Sequence, residues 1–113
     1  MTCLFCKIVK GEIPCSKVWE NDAVLAFRDI NPQAPVHVII IPKIHINNLL
    51  EFNPTNGKLL EEIFSAIQYV ADLCQIDQTG FRIVTNNGHD GGQEISHLHF
   101  HLLGGRHMSW PPG

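Results

Sequence analysis

The chain has 113 residues, 44% of them hydrophobic and 17% charged, with a formal charge of -3 at pH 7. That length supports one core rather than two, so a single domain over residues 1–113 is expected. The acid-leaning balance excludes a broad basic nucleic-acid surface, and no apolar run approaches the ~20 residues of a membrane span.

The stretch Met1 to Lys7 lacks the long apolar segment of an export leader. A cytoplasmic protein that binds neither nucleic acid nor membrane is expected. In that setting the four cysteines are thiols or metal ligands rather than disulfides. Cys3 and Cys6 form a Cys-x-x-Cys pair, a spacing that fits half a zinc site or a redox pair. A redox pair of the thioredoxin kind follows a strand, and no strand precedes Cys3, so zinc is the better reading. Gly11-Glu12-Ile13-Pro14 is a turn. Val18-Trp19 and Ala23 to Arg28 are short strands joined at Asn21-Asp22.

A loop with two prolines, Asp29 to Pro35, feeds a strong strand, Val36 to Ile41, which Pro42 ends. On it His37 shares a face with Ile39 and Ile41. The one long helix follows Asn53-Pro54, a capping residue and a proline suited to the first turn. Leu59, Leu60, Ile63, Phe64, Ile67, Val70, Ala71 and Cys74 recur there at helical spacing and are expected to pack as core. Phe81 to Thr85 is the next strand. It runs into Asn86 to Glu94, where three glycines let backbone approach a ligand and N–H groups cradle an anion.

His97, His99 and His101 then stand at i, i+2 and i+4. On a strand they form one row, with Leu98, Phe100 and Leu102 filling the core behind them. The tail Gly104 to Gly113 carries Trp110 before two prolines and is expected to dock on this subunit or a second one.

This constellation supports phosphoryl or nucleotidyl transfer. Neutral imidazole is a competent nucleophile toward phosphorus, and neighbouring imidazoles can move protons and hydrogen-bond phosphate oxygens. The rival chemistry is a three-histidine zinc site holding a water. Spacing does not separate the two.

The run His97-Leu-His99-Phe-His101-Leu-Leu resembles the His-φ-His-φ-His-φ-φ signature (φ apolar) of the histidine triad superfamily. The segments Asp29 to His37, Ile41 to His45, Gly91-Gly92-Gln93 and the tail Gly104-Gly105-Arg106…Trp110-Pro111-Pro112-Gly113 resemble its Hint branch, which are purine nucleoside phosphoramidases. The resemblance implies an α+β fold: an antiparallel five-stranded sheet with one long and one or more short helices, in a two-fold dimer with a continuous sheet. It implies a hydrolase that cleaves the P–N bond of adenosine 5′-phosphoramidates to AMP and an amine, with no catalytic cofactor. A dinucleoside polyphosphate hydrolase or a nucleotide- or partner-binding regulator are the alternatives.

By the same resemblance His99 attacks the α-phosphorus and holds the nucleotidyl group. His101 contacts the phosphate, and His37 extends the histidine network. Asp29 bonds the ribose hydroxyls; Phe5, Phe27, Ile30 and Ile39 wall the purine; Asn86, Gly92 and Gln93 surround the phosphate. Glu94 departs from the serine that many animal relatives place beside the phosphate, so a carboxylate there must turn away, be protonated or be paired. His97 belongs to the triad, yet in relatives with an N-terminal Cys-x-x-Cys the corresponding histidine binds zinc. With His45 following the His37 strand, a structural zinc on Cys3, Cys6, His45 and His97 is expected.

Overall fold

The computed structural model describes residues 3–113; Met1 and Thr2, the start of the stretch expected to lack an export leader, lie outside it. Five strands form one sheet: β1 (Lys17–Glu20), β2 (Val24–Arg28), β3 (Val36–Pro42), β4 (Phe81–Val84) and β5 (Phe100–Gly104). Their order is β1-β2-β3-β5-β4, and every neighbouring pair is antiparallel. A short helix α1 (Leu4–Val9) and the long helix α2 (Gly57–Leu73) complete the fold. This is the expected α+β arrangement, a five-stranded antiparallel sheet with one main helix. Among the described residues no helix is long and apolar enough to cross a membrane.

The apolar runs of β2 and β3 look unbroken because both faces of the sheet are covered. Alternation sends Val24, Ala26, Val38 and Ile40 to one face, where they meet Ile63, Ala66, Ile67, Val70 and Ala71 of α2. It sends Leu25, Phe27, Ile39 and Ile41 to the other face, where Phe5 of α1 covers them. Fully burying each Val, Leu, Ile or Phe among them is worth about 1.5–3 kcal/mol, so the centre of the sheet is a rigid base for anything mounted on it.

Three expectations are corrected. The long helix begins at Gly57, not directly after Asn53; Asn53 Oδ1 instead accepts from the Thr55 N–H at 2.9 Å and caps a separate 3-10 turn, Pro54–Asn56. Leu60 and Phe64 are not core, being 38% and 54% exposed; the stripe is wider than the face the sheet can cover. The strand that carries the histidines starts only at Phe100, because its ladder partners run out at Ile40↔Phe100 and Val84↔His101. His97, Leu98 and His99 lie ahead of it, tied instead by the Leu98 N–H to the Ile46 carbonyl at 2.6 Å. Alternation nevertheless holds through this stretch: Leu98, Phe100 and Leu102 all enter the helix-side core.

Candidate active site and metal centre

On the face away from α2, a cavity of about 520 Å³ opens between α1, the start of β3 and the start of β5. His37, His99 and His101 line it, with Phe5, Phe27 and Ile39 as apolar wall and Asp29, Asn86, Gly92 and Glu94 around the polar side. Ile30 also borders it but is fully exposed. Its size is that of a small-molecule site.

Hydrogen-bond partners assign the imidazole tautomers. The Gln33 N–H donates to His37 Nδ1 at 3.0 Å, so the neutral His37 ring carries its proton on Nε2. That proton is donated to His101 Nδ1 at 2.8 Å, which leaves His101 with an N–H at Nε2. Asp29 Oδ2 lies 3.4 Å from His37 Nε2 and steadies the same ring. Independently, His99 Nδ1 donates to the His97 carbonyl at 2.6 Å, so His99 Nε2 holds a lone pair. The site thus presents one nucleophilic nitrogen and, from a ring centred 5.1 Å away, one N–H donor.

Burial favours the neutral form of the His37 and His101 rings. Desolvation pushes His101 down to about 4, helped by His99 and His37 and opposed by Asp29. Desolvation likewise lowers His37, with Asp29 pulling the other way.

His97 leaves the row. It is wholly buried, and Phe5 inserts between its ring and that of His99, with centroids at 5.8 and 5.2 Å. Its Nε2 donates to the Pro42 carbonyl at 2.9 Å, and its Nδ1 lies 3.4 Å from Cys3 Sγ and 3.6 Å from Cys6 Sγ. His45 Nδ1 lies 3.3 Å from Cys6 Sγ. Glu51 accepts from Asn47 Nδ2 at 2.9 Å, which turns Asn47 Oδ1 toward His45 Nε2 at 2.7 Å; that contact needs the proton on Nε2. Both Nδ1 lone pairs therefore face the sulfurs.

All four donor atoms lie within 4.8 Å of one another. Zinc bonds of ~2.0–2.1 Å to nitrogen and ~2.3 Å to sulfur place tetrahedral N and S about 3.6 Å apart. The observed N···S separations, 3.3 to 3.6 Å, match that edge. Burial and the neighbouring Cys3 sulfur raise the Cys6 thiol, a penalty that a bound dication reverses. A second group, Asp29, His37 and His101, is also close enough to hold an ion. Its 2.8 Å N···N contact is a hydrogen bond, too short for the ~3.4 Å edge between two tetrahedral nitrogens.

The glycine loop is not the open cradle its composition suggested. The N–H groups of Gly88, Gly92 and Gln93 are each taken up within the loop at 3.0 Å, by Gln93 Oε1, the His89 carbonyl and the Gly88 carbonyl. Gln93 does not line the cavity; its Nε2 bonds the Asn47 and Ile95 carbonyls at 2.7 and 3.0 Å, so it braces the loop. Glu94 is exposed, and it also borders an adjoining cavity of about 440 Å³ near His45 and Asn47. Trp110 is 80% exposed and lies beneath Arg82 of β4, 5.9 Å from the guanidinium.

Sequence reasoning missed Gln33, whose N–H sets the His37 tautomer, and Asn47, which orients His45; a main-chain donor and a remote amide leave no spacing signature. Cys15, to which no role was assigned, lines the cavity.

Comparison with known proteins bears directly on this arrangement. The chain is 45% identical over 112 residues to a 14 kDa zinc-binding protein of Brassica juncea, covering 97% of this chain and 98% of the relative. The crystal structure of a HIT family hydrolase from Legionella pneumophila superposes with a TM-score of 0.97 at 49% identity, covering 99% of this chain and 100% of that one. A histidine triad nucleotide-binding protein from Candida albicans matches with a TM-score of 0.84 at 34% identity, over 97% of this chain and 83% of that one. Residues 10–108 match the HIT domain model, and the chain belongs to the HIT domain family.

Proposed function

We propose that the chain hydrolyses purine nucleoside 5′-phosphoramidates, as the Hint branch does. The observation that carries this is the pair of fixed tautomers: a His99 Nε2 lone pair beside a His101 N–H, both lining one cavity. In this mechanism His99 Nε2 attacks the α-phosphorus in line with the P–N bond, and the His101 N–H bonds a non-bridging oxygen as charge develops there. The P–N bond breaks, and the amine leaves with a proton drawn from water or the His37–His101 pair. Water then attacks the nucleotidyl-histidine, releasing AMP and restoring the lone pair. Asp29 takes the ribose hydroxyls and the Phe5, Phe27 and Ile39 wall takes the purine.

The same reading gives the Cys3-Cys6-His45-His97 centre a structural zinc, supported by the tetrahedral spacing and by the named zinc-binding relative. Closed by four protein donors, it supplies no Lewis acid to the reaction. Leu60, Phe64, Leu73 and Phe81 expose an apolar surface on α2 and the edge strand β4. That surface supports a two-fold homodimer with paired β4 edges.

The test is a fluorogenic adenosine phosphoramidate. Turnover by the zinc-loaded chain that is lost in His99→Ala, with AMP binding kept within about tenfold, is expected. Near-normal turnover in His99→Ala refutes the covalent route.

A further inference from the structure

The metal centre and the active site share residues. Phe5 sits between Cys3 and Cys6 in sequence and packs edge-on against both His97 and His99. The His97 ring faces the sulfurs, while its carbonyl holds the His99 Nδ1 proton at 2.6 Å. On the far side, His45 is tied to Asn47, whose carbonyl accepts from Gln93 of the glycine loop at 2.7 Å. Three physical links therefore run from the four donors to the nucleophile and its loop.

Both cysteines are partly exposed and carry no disulfide. They stand one helical turn apart, with sulfurs within 4.8 Å, and Cys3 caps α1 by accepting from the Cys6 N–H at 3.4 Å. Side chains at i and i+3 of a helix are near enough for the ~2.05 Å S–S bond to close by side-chain rotation.

We infer that Cys3 and Cys6 form a reversible oxidation site whose closure releases the metal and unseats His99. The oxidant is a peroxide. One thiolate attacks a peroxide oxygen; the O–O bond breaks, giving a sulfenic acid and hydroxide. The second thiolate then displaces hydroxide from the sulfenic sulfur and forms the S–S bond. Two electrons pass from sulfur to oxygen, two solvent protons turn the hydroxides into water, and the zinc ion departs because two of its four donors are gone. His97 and Phe5 lose their anchor, and with them His99 loses its fixed tautomer. The inference rests on the zinc centre and on His99 as nucleophile, but its main readout is independent of substrate.

The full chain is loaded with one equivalent of zinc under reducing conditions and then treated with hydrogen peroxide. Zinc release is followed with a chromogenic chelator, the Cys3–Cys6 linkage by peptide mass, the His99 ring by nitrogen-15 spectroscopy, and AMP affinity by calorimetry. We expect stoichiometric zinc release, a Cys3–Cys6 disulfide and loss of the single His99 tautomer. AMP should bind about tenfold or more weakly, and thiol reductant plus zinc should restore every signal. A disulfide that leaves the His99 spectrum unchanged overturns the inference. So does a chain that takes up no zinc, forms no Cys3–Cys6 linkage, or unfolds globally by circular dichroism on oxidation. A normal His99 response in a chain that never binds AMP sinks the nucleotide reading and upholds this one.

Discussion

Replacing His101 with asparagine tests the tautomer relay through stability alone. The Asn Oδ1 takes the place of Nδ1 and still accepts from His37 Nε2, but it cannot be protonated. In the folded wild type the His101 ring sits at about 4 instead of 6.5. A base whose folded pKa is lowered binds protons more readily in the unfolded chain, so its stabilising share is intact above 6.5 and is lost as pH falls toward 4. From those two values the wild type sheds about 2 kcal/mol between pH 7 and 5, and about 3 kcal/mol by pH 4, through this one ring. Urea titrations of wild type and His101→Asn from pH 4 to 8 measure it, with the variant gaining about 3 kcal/mol relative to the wild type as pH falls from 7 to 4. Parallel curves would show that His101 titrates normally and that the relay is not locked as described.

Three other outcomes are expected. Cys3→Ser/Cys6→Ser should lose about one zinc per chain by atomic absorption and lower the melting temperature by roughly 10 °C or more, about 2–3 kcal/mol at this size; a metal-free chain that melts like the wild type refutes the centre. Phe64→Glu places a charge in the exposed apolar surface of α2 and should give a monomer by light scattering at micromolar concentration, where the proposed wild-type assembly is a dimer. Gly91→Ala would bring its Cβ to 2.5 Å from the Asn87 carbonyl oxygen and 2.8 Å from the Asn87 nitrogen. Backbone must move, so stability should fall by about 1–3 kcal/mol and AMP binding should weaken in calorimetry; an unchanged Kd would place the loop away from the nucleotide.

The sheet was legible because β2 and β3 are apolar runs with a strict two-face alternation, and α2 because its stripe follows the helical period. Less legible was anything set by partners rather than by period. The alternation of residues 97–102 correctly sorted side chains between the two faces, but strand character depends on a ladder, and none reaches His97. Leu60 and Phe64 carry the helical stripe past what one sheet covers, and a sequence does not tell a core residue from one facing outward. Helix α1 left no signal, since its cap is a cysteine and it spans six residues. The glycine loop misled in the opposite sense: composition advertised open N–H groups, whereas Gln93, a residue of the loop itself, consumes one of them.

The strand order has a consequence for how the molecule comes together. β1, β2 and β3 are successive in the chain, and β4 and β5 are likewise successive, so each set can zip from short-range contacts. Only the β3–β5 seam joins the two sets, and the His37–His101 bond crosses it, spanning 64 positions in sequence. Neither segment alone contains the proton relay. The chemistry is thus assembled by the slowest, most entropically demanding closure, and a nascent or half-assembled chain is silent by construction.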